Sequence, residues 1–300
     1  MKFQNIPYEN YVRDGESVLA QYVEACDWLD EMGFNYKKTR FRQYKKSIDN
    51  FYSSINYGPA EGELESVFHE FLNAYSEATE LIRLKGVMVG ADFELYFSRL
   101  KKVVAGSAFR TESEKDQSRN FSFELSMAAR FINGGFTVDL NHEADIVAVV
   151  EGVKVYVECK RLRSLKKLSA NIKKANEQIK VRLSIDKSSR SRGLIAINTS
   201  DVLNPSNDML MIDSVDNLQR LNSEQLNGFM EENEKALRTK EHKNTLGVFC
   251  EFTNQALIHD RDPMALCNCR GANFYTYKEG GSDDILVRAM AINLANQNIF

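Results

Sequence analysis

Two acidic residues and a lysine, Asp145, Glu158 and Lys160, have the types and spacing to do chemistry together. From Val153 to Lys160 apolar and polar residues alternate, which predicts a strand. Glu158 and Lys160 then share one face with Tyr156, while Val155, Val157 and Cys159 occupy the other. Glu151-Gly152 reads as a tight turn, with Asp145 six residues before Glu151 and Glu158 six residues after Gly152. Symmetric antiparallel pairing across that turn brings the two carboxylates together. Two hard oxygen ligands side by side suit Mg²⁺, which takes one or two protein carboxylates and fills its octahedron with water and phosphate oxygens. The plainer alternative is a cross-strand salt bridge, because Glu-x-Lys recurs at Glu241 and Lys243 on what reads as a solvated helix end. The apolar neighbours of Glu158 and the basic run that follows favour a phosphate site at a buried strand edge.

The elements that must position these groups are legible around them. Phe121, Leu125, Ala128, Ala129 and Ile132 mark a helix ending at Gly134 and Gly135. Strands are expected at Phe136–Leu140, Asp145–Val150 and Val153–Lys160, a basic helix at about Lys166–Ser184, and a continuously apolar strand at Gly193–Asn198. Upstream, the chain reads as helical. One stripe runs Val18, Leu19, Tyr22, Val23, Cys26 and Leu29, with Ser17 as N-cap and Gly33 as stop; a second runs from Leu64 to Ile82 and a third from Phe93 to Val104. Downstream, the pattern predicts a loop at Asn204–Asn207, a charged helix near Glu224–Lys240, strands at Leu246–Phe252 and Asn273–Lys278, and a helix from Asp284. The division is an all-helical region over 1–110 and an α/β domain over 111–300, with its core at 119–198.

Composition narrows the class. The chain has 300 residues, 43% hydrophobic and 27% charged, as an ordinary globular protein does. Its apolar runs, such as Ile146–Val150 and Leu194–Ile197, fall far short of a membrane span. Met1 to Ser17 lacks the apolar stretch of a secretory leader, and the five cysteines suit a reducing compartment, so a cytoplasmic protein is expected. Cys250, Cys267, Cys269 and His259 lack the usual spacing of a zinc site. No glycine-rich phosphate loop with its lysine is present.

Net charge is −3, yet Lys154 to Arg192 holds thirteen Lys and Arg against Glu158, Glu177 and Asp186. Such a focused band suits a polyanionic partner; a solvated lysine-rich helix is the alternative. Arg161, Arg163, Lys166, Lys167, Lys174 and Arg182 are its candidate contacts to nucleic acid. A second cluster at Lys38, Arg42 and Lys45, interleaved with Phe41 and Tyr44, is a candidate backbone grip.

Phe123-Glu124-Leu125, Asp145-Ile146 and Val157-Glu158-Cys159-Lys160-Arg161 together resemble the signature of the PD-(D/E)xK nuclease superfamily, over about a quarter of the chain. Ala144 stands where the name has Pro. The resemblance implies a restriction-endonuclease-like αβββαβ core with a mixed sheet, and phosphodiester hydrolysis with Mg²⁺ or Mn²⁺. It implies Asp145, Glu158 and the Cys159 carbonyl as metal ligands, and Lys160 positioning the attacking water. Glu124 would reach the metal directly or through water, Gln178 would approach the site from the basic helix, and Arg182 would contact phosphate. His142, in the loop before Asp145, could assist the metal or cap the turn. DNA is the expected substrate, with RNA as the alternative. A homodimer, or a partner protein in bacterial restriction or antiphage defence, is compatible with the resemblance. The rival from another class is a non-catalytic nucleic-acid-binding or assembly subunit.

Overall fold

The computed structural model describes residues 3–12, 15–58, 64–108, 117–140, 144–260 and 264–295. His142, considered above as a metal assistant, lies outside them. The chain is mixed α/β. It opens on β1 (Phe3–Val12), followed by α1 (Gly15–Glu31), α2 (Arg40–Tyr57), α3 (Leu64–Met88) and α4 (Phe93–Val104). Next come α5 (Ser118–Asn133), β2 (Thr137–Asp139), β3 (Ile146–Val150), β4 (Val153–Arg161), α6 (Leu168–Asp186) and β5 (Arg192–Asn198). The last part comprises α7 (Ser200–Leu203), β6 (Met209–Ile212), α8 (Val215–Glu232), α9 (Glu234–Leu237), the long β7 (Thr245–Ile258) and β8 (Ala265–Thr276), and α10 (Gly281–Ala295).

The strands form one mixed sheet in the order β1-β8-β7-β5-β4-β3-β2. β4, β5 and β7 run parallel, and the remaining pairs along this path are antiparallel. β7 outruns β5, and β6 pairs in parallel with its far end, Met209 opposite Gln255. Alternation along β5 separates two cores. Leu194 and Ala196 join the apolar cluster of α1–α5 and α10, whereas Ile195 and Ile197 join that of α6, α8 and α9.

Several expectations need correction. The first part is helical but not all-helical, because β1 precedes α1 and closes the sheet beside β8. Its register shifts between Ile6 and Glu9, around Pro7, which has no N–H for the ladder and is tolerated on such an edge strand. α1 starts at Gly15, so Ser17 lies inside its first turn and is not the cap. α8 begins at Val215, earlier than expected, with Ser214 Oγ accepting from the Asn217 N–H at 3.3 Å. The short strand β6 is absent from the sequence pattern. β7 exceeds the expected strand because buried Asn254 and Gln255 interrupt the apolar pattern without ending the ladder, and β8 begins at Ala265, well ahead of the expected Asn273. Asn204 Nδ2 donates to Asn254 Oδ1 at 2.9 Å, and Gln255 Nε2 donates to the Leu72 carbonyl at 3.0 Å.

Glycine decides the fit of α6 on the sheet. A Cβ at Gly193 would lie inside van der Waals contact with Ile179 Cγ2, and Ile179 is fully buried. Gly193→Ala is therefore expected to cost about 1–3 kcal/mol through overpacking, read as a lower urea midpoint at unchanged slope. An unchanged midpoint would show that helix and strand do not meet tightly here.

Candidate functional site

The β3–β4 hairpin builds the site. Glu151 and Gly152 both have positive φ, 49° and 70°, as a tight two-residue hairpin turn with the twist of its strands requires. Ile146 pairs with Val157, and the same register carried one step further sets Asp145 opposite Glu158. The pairing expected from the turn is the one observed. Val155, Val157 and Cys159 face the core beneath α5, and Tyr156 packs on the α6 side.

Hydrogen bonds then gather the groups. The Cys159 N–H donates to Asp145 Oδ2 at 2.7 Å. Lys160 Nζ donates to the Cys159 carbonyl at 3.0 Å and to Glu158 Oε2 at 3.3 Å, and lies 3.6 Å from Asp145 Oδ2. The Glu158 side chain is 1% exposed and that of Asp145 24%, so the site has a buried floor and opens at Asp145.

Burial raises the Glu158 carboxyl to about 7; Asp145 pushes it further in the same direction, while Lys160 and Arg182 oppose. Glu158 Oε1 is buried without a hydrogen-bond partner, and Arg182 Nε stands 4.0 Å away. An orphaned buried carboxylate oxygen is costly unless something binds it. With Asp145 and the second lone pair of the Cys159 carbonyl, it makes a hard oxygen set that fits Mg²⁺ or Mn²⁺. The Cys159 sulfur does not contribute: burial holds its thiol well above the ordinary range. Among the described residues no three His, Cys, Asp or Glu side chains form a ready-made metal cluster. The set here is two carboxylates and a backbone carbonyl.

Glu124, on α5, lies close enough for the charges of Asp145 and Lys160 to act on it. Its carboxyl is raised to about 7 by burial and then by Asp145, with Arg99, Lys160 and Lys102 pulling it down. Arg99 Nη1 donates to Glu124 Oε2. Gln178 lies one turn before Arg182 on α6, and its Oε1 is likewise buried without a partner.

The cationic candidates divide. Arg163, Lys166, Lys167 and Lys174 are exposed at or near the start of α6. Arg161 Nη2 instead donates to Asp201 Oδ1 at 2.8 Å, and its side chain is only 10% exposed. It lines a polar cavity of about 110 Å³ beneath α5 with Glu77, Arg119, Asp201, Glu251 and Arg270. Charges pair across that cavity: Arg119 with Glu77 at 2.9 Å, Arg270 with Glu251 at 3.5 Å. In the second cluster, Lys38 and Arg42 are exposed and Lys45 pairs with Asp49 at 2.6 Å. Lys38 belongs to a 3₁₀ turn before α2, so the three cations do not form one helical stripe. Phe41 and Tyr44 are buried in the core and offer no stacking platform.

Arg99 is the site residue that sequence reasoning missed. With Lys101 and Lys102 it reads as the basic, solvated end of an amphipathic helix, and only the fold turns it toward Glu124. Comparison with protein-family models, with curated proteins and with solved structures finds no match for this chain.

Proposed function

We propose that this protein is a metal-dependent nuclease that hydrolyses phosphodiester bonds of DNA. The reading rests on the convergence of Asp145 and Glu158 on the Lys160 ammonium, with the other Glu158 oxygen, Oε1, buried and without a hydrogen bond. The succession α5-β2-β3-β4-α6-β5 supports a restriction-endonuclease-like core.

The chemistry that Mg²⁺ or Mn²⁺ contributes when bound is neutralisation of charge at the scissile phosphate. Asp145, Glu158 and the Cys159 carbonyl hold the ion. Lys160 orients the attacking water and offsets the charge that builds on the pentacoordinate phosphorus, in a pocket where burial strengthens that interaction. Exposed Lys166, Lys167 and Lys174 attract the nucleic-acid backbone without reading bases. No described helix is long and apolar enough to cross a bilayer. A role in bacterial restriction or antiphage defence is compatible with such an activity.

Labelled double-stranded DNA, single-stranded DNA and RNA, each with Mg²⁺, Mn²⁺ or EDTA, form the test. DNA cleavage that needs the metal is expected. Cleavage of RNA alone would reassign the substrate, and tight binding with no cutting under any metal would make the protein a binding or assembly subunit. Replacing Lys166, Lys167 and Lys174 with Ala is expected to flatten the fall of DNA affinity with salt by about 0.9 in log–log slope for each phosphate no longer neutralised. An unchanged slope would place the binding surface elsewhere.

A further inference from the structure

The helical first part of the chain reaches into the site. Besides its bond to Glu124, Arg99 donates from Nη2 to the Leu140 carbonyl at 3.2 Å. Leu140 directly follows β2 and lies five residues before Asp145 in the sequence. One guanidinium on α4 thus ties down a side chain of α5 and the backbone at the end of β2. Its planar fork can hold both at a fixed geometry, which an ammonium on a flexible stem cannot.

We propose that Arg99 is a positioning residue of the nuclease site, holding Glu124 toward Asp145 and Lys160 and anchoring the end of β2, so that the helical region completes the site. The inference rests on the nuclease reading above. A purely structural salt bridge is a poor account of the pair. The two side chains are 13% and 11% exposed, and a buried ion pair rarely adds stability over an apolar pair of the same shape. Partners that orient ligands are a recurring reason to keep such charges.

The test compares wild type, Arg99→Gln, Arg99→Lys, Glu124→Gln, the Arg99→Gln/Glu124→Gln double variant, and Arg220→Ala as a charge-loss control, all in the full chain. Arg220 pairs with Glu224 on the exposed face of α8, far in sequence from the site. Single-turnover cleavage, DNA affinity and Mn²⁺ affinity by calorimetry are measured, with melting curves to confirm folding. Arg99→Gln is expected to lower the cleavage rate at saturating DNA, and Mn²⁺ affinity, by roughly 10–100-fold with DNA affinity nearly unchanged. Arg99→Lys should recover part of the loss, and the double variant should cut no more slowly than Glu124→Gln alone. Wild-type rates in folded Arg99→Gln, or losses at the two positions that multiply, would overturn the positioning role while leaving the nuclease reading intact. A wild-type protein that cuts no nucleic acid would sink both. If Arg99→Gln does not fold, Arg99→Lys decides: a wild-type rate despite the missing second hydrogen bond overturns the proposal, and a selective loss of rate supports it.

Discussion

Lys160→Ala is expected to abolish detectable DNA cleavage while leaving DNA binding within a few-fold of wild type. The Lys160 ammonium touches the Cys159 carbonyl and the Glu158 carboxylate and stands beside Asp145. The next cation on β4, Arg161, cannot replace it, since that side chain projects to the opposite face and is bound to Asp201. Removing one preorganised group that stabilises transition-state charge costs roughly 10²–10³-fold in rate. Asp145→Ala should lose at least as much, because it removes a carboxylate and the acceptor of the Cys159 N–H together. Binding should persist in both, since the exposed lysines near the start of α6 supply the salt-sensitive attraction. Gel-shift and cleavage assays on the same substrate separate the two quantities. Equal cutting by wild type and both variants would refute the assignment, and parallel loss of binding and cutting would indicate misfolding.

Glu158→Gln should inactivate the protein yet make its metal-free form more stable above pH 7. The folded carboxyl titrates near 7, against the usual 4.5. Between those values the folded protein keeps a proton that the unfolded chain has released, so stability falls as pH rises through the window. Well above pH 7 the folded state carries the whole cost of a buried, partly unpaired charge, on the order of 3 kcal/mol. Gln is nearly isosteric and escapes that cost. Glu124 titrates in the same range, so the single variant should remove about half of the pH dependence, and a double Glu124→Gln/Glu158→Gln variant most of it. Melting temperatures in EDTA from pH 5 to 8.5 provide the measurement. Mn²⁺ should raise the melting temperature of wild type at pH 8 and leave Glu158→Gln almost unmoved. A wild-type melting temperature flat across that range would contradict the burial that the site depends on.

The reach of the sequence can be judged at particular residues. Glu151-Gly152 and the apolar alternation around it carry the hairpin register, and with it the meeting of Asp145 and Glu158, because both signals are local. Ile172, Ala175 and Ile179 mark the buried stripe of α6 for the same reason. What escapes is decided by distant partners. Asn254 and Gln255 look like the end of a strand until Asn204 and the Leu72 carbonyl are brought to them. Arg99 looks solvated until α5 packs against α4. The basic stretch at the start of α2 is partly spent inside the protein, where Arg40 faces Glu77 at 3.6 Å, an outcome that charge patterning alone does not separate from a nucleic-acid contact.

The pairing of β1 with β8 bears on biogenesis. Phe3 meets Tyr275 and Val12 meets Cys267, so β1 must wait for β8, the last described strand along the chain, before its backbone finds a mate. Such long-range closure slows folding. Until it is reached, the outer side of β8 and the nascent first strand both present open hydrogen-bonding edges, and chains stalled or cleaved ahead of β8 would be prone to self-association.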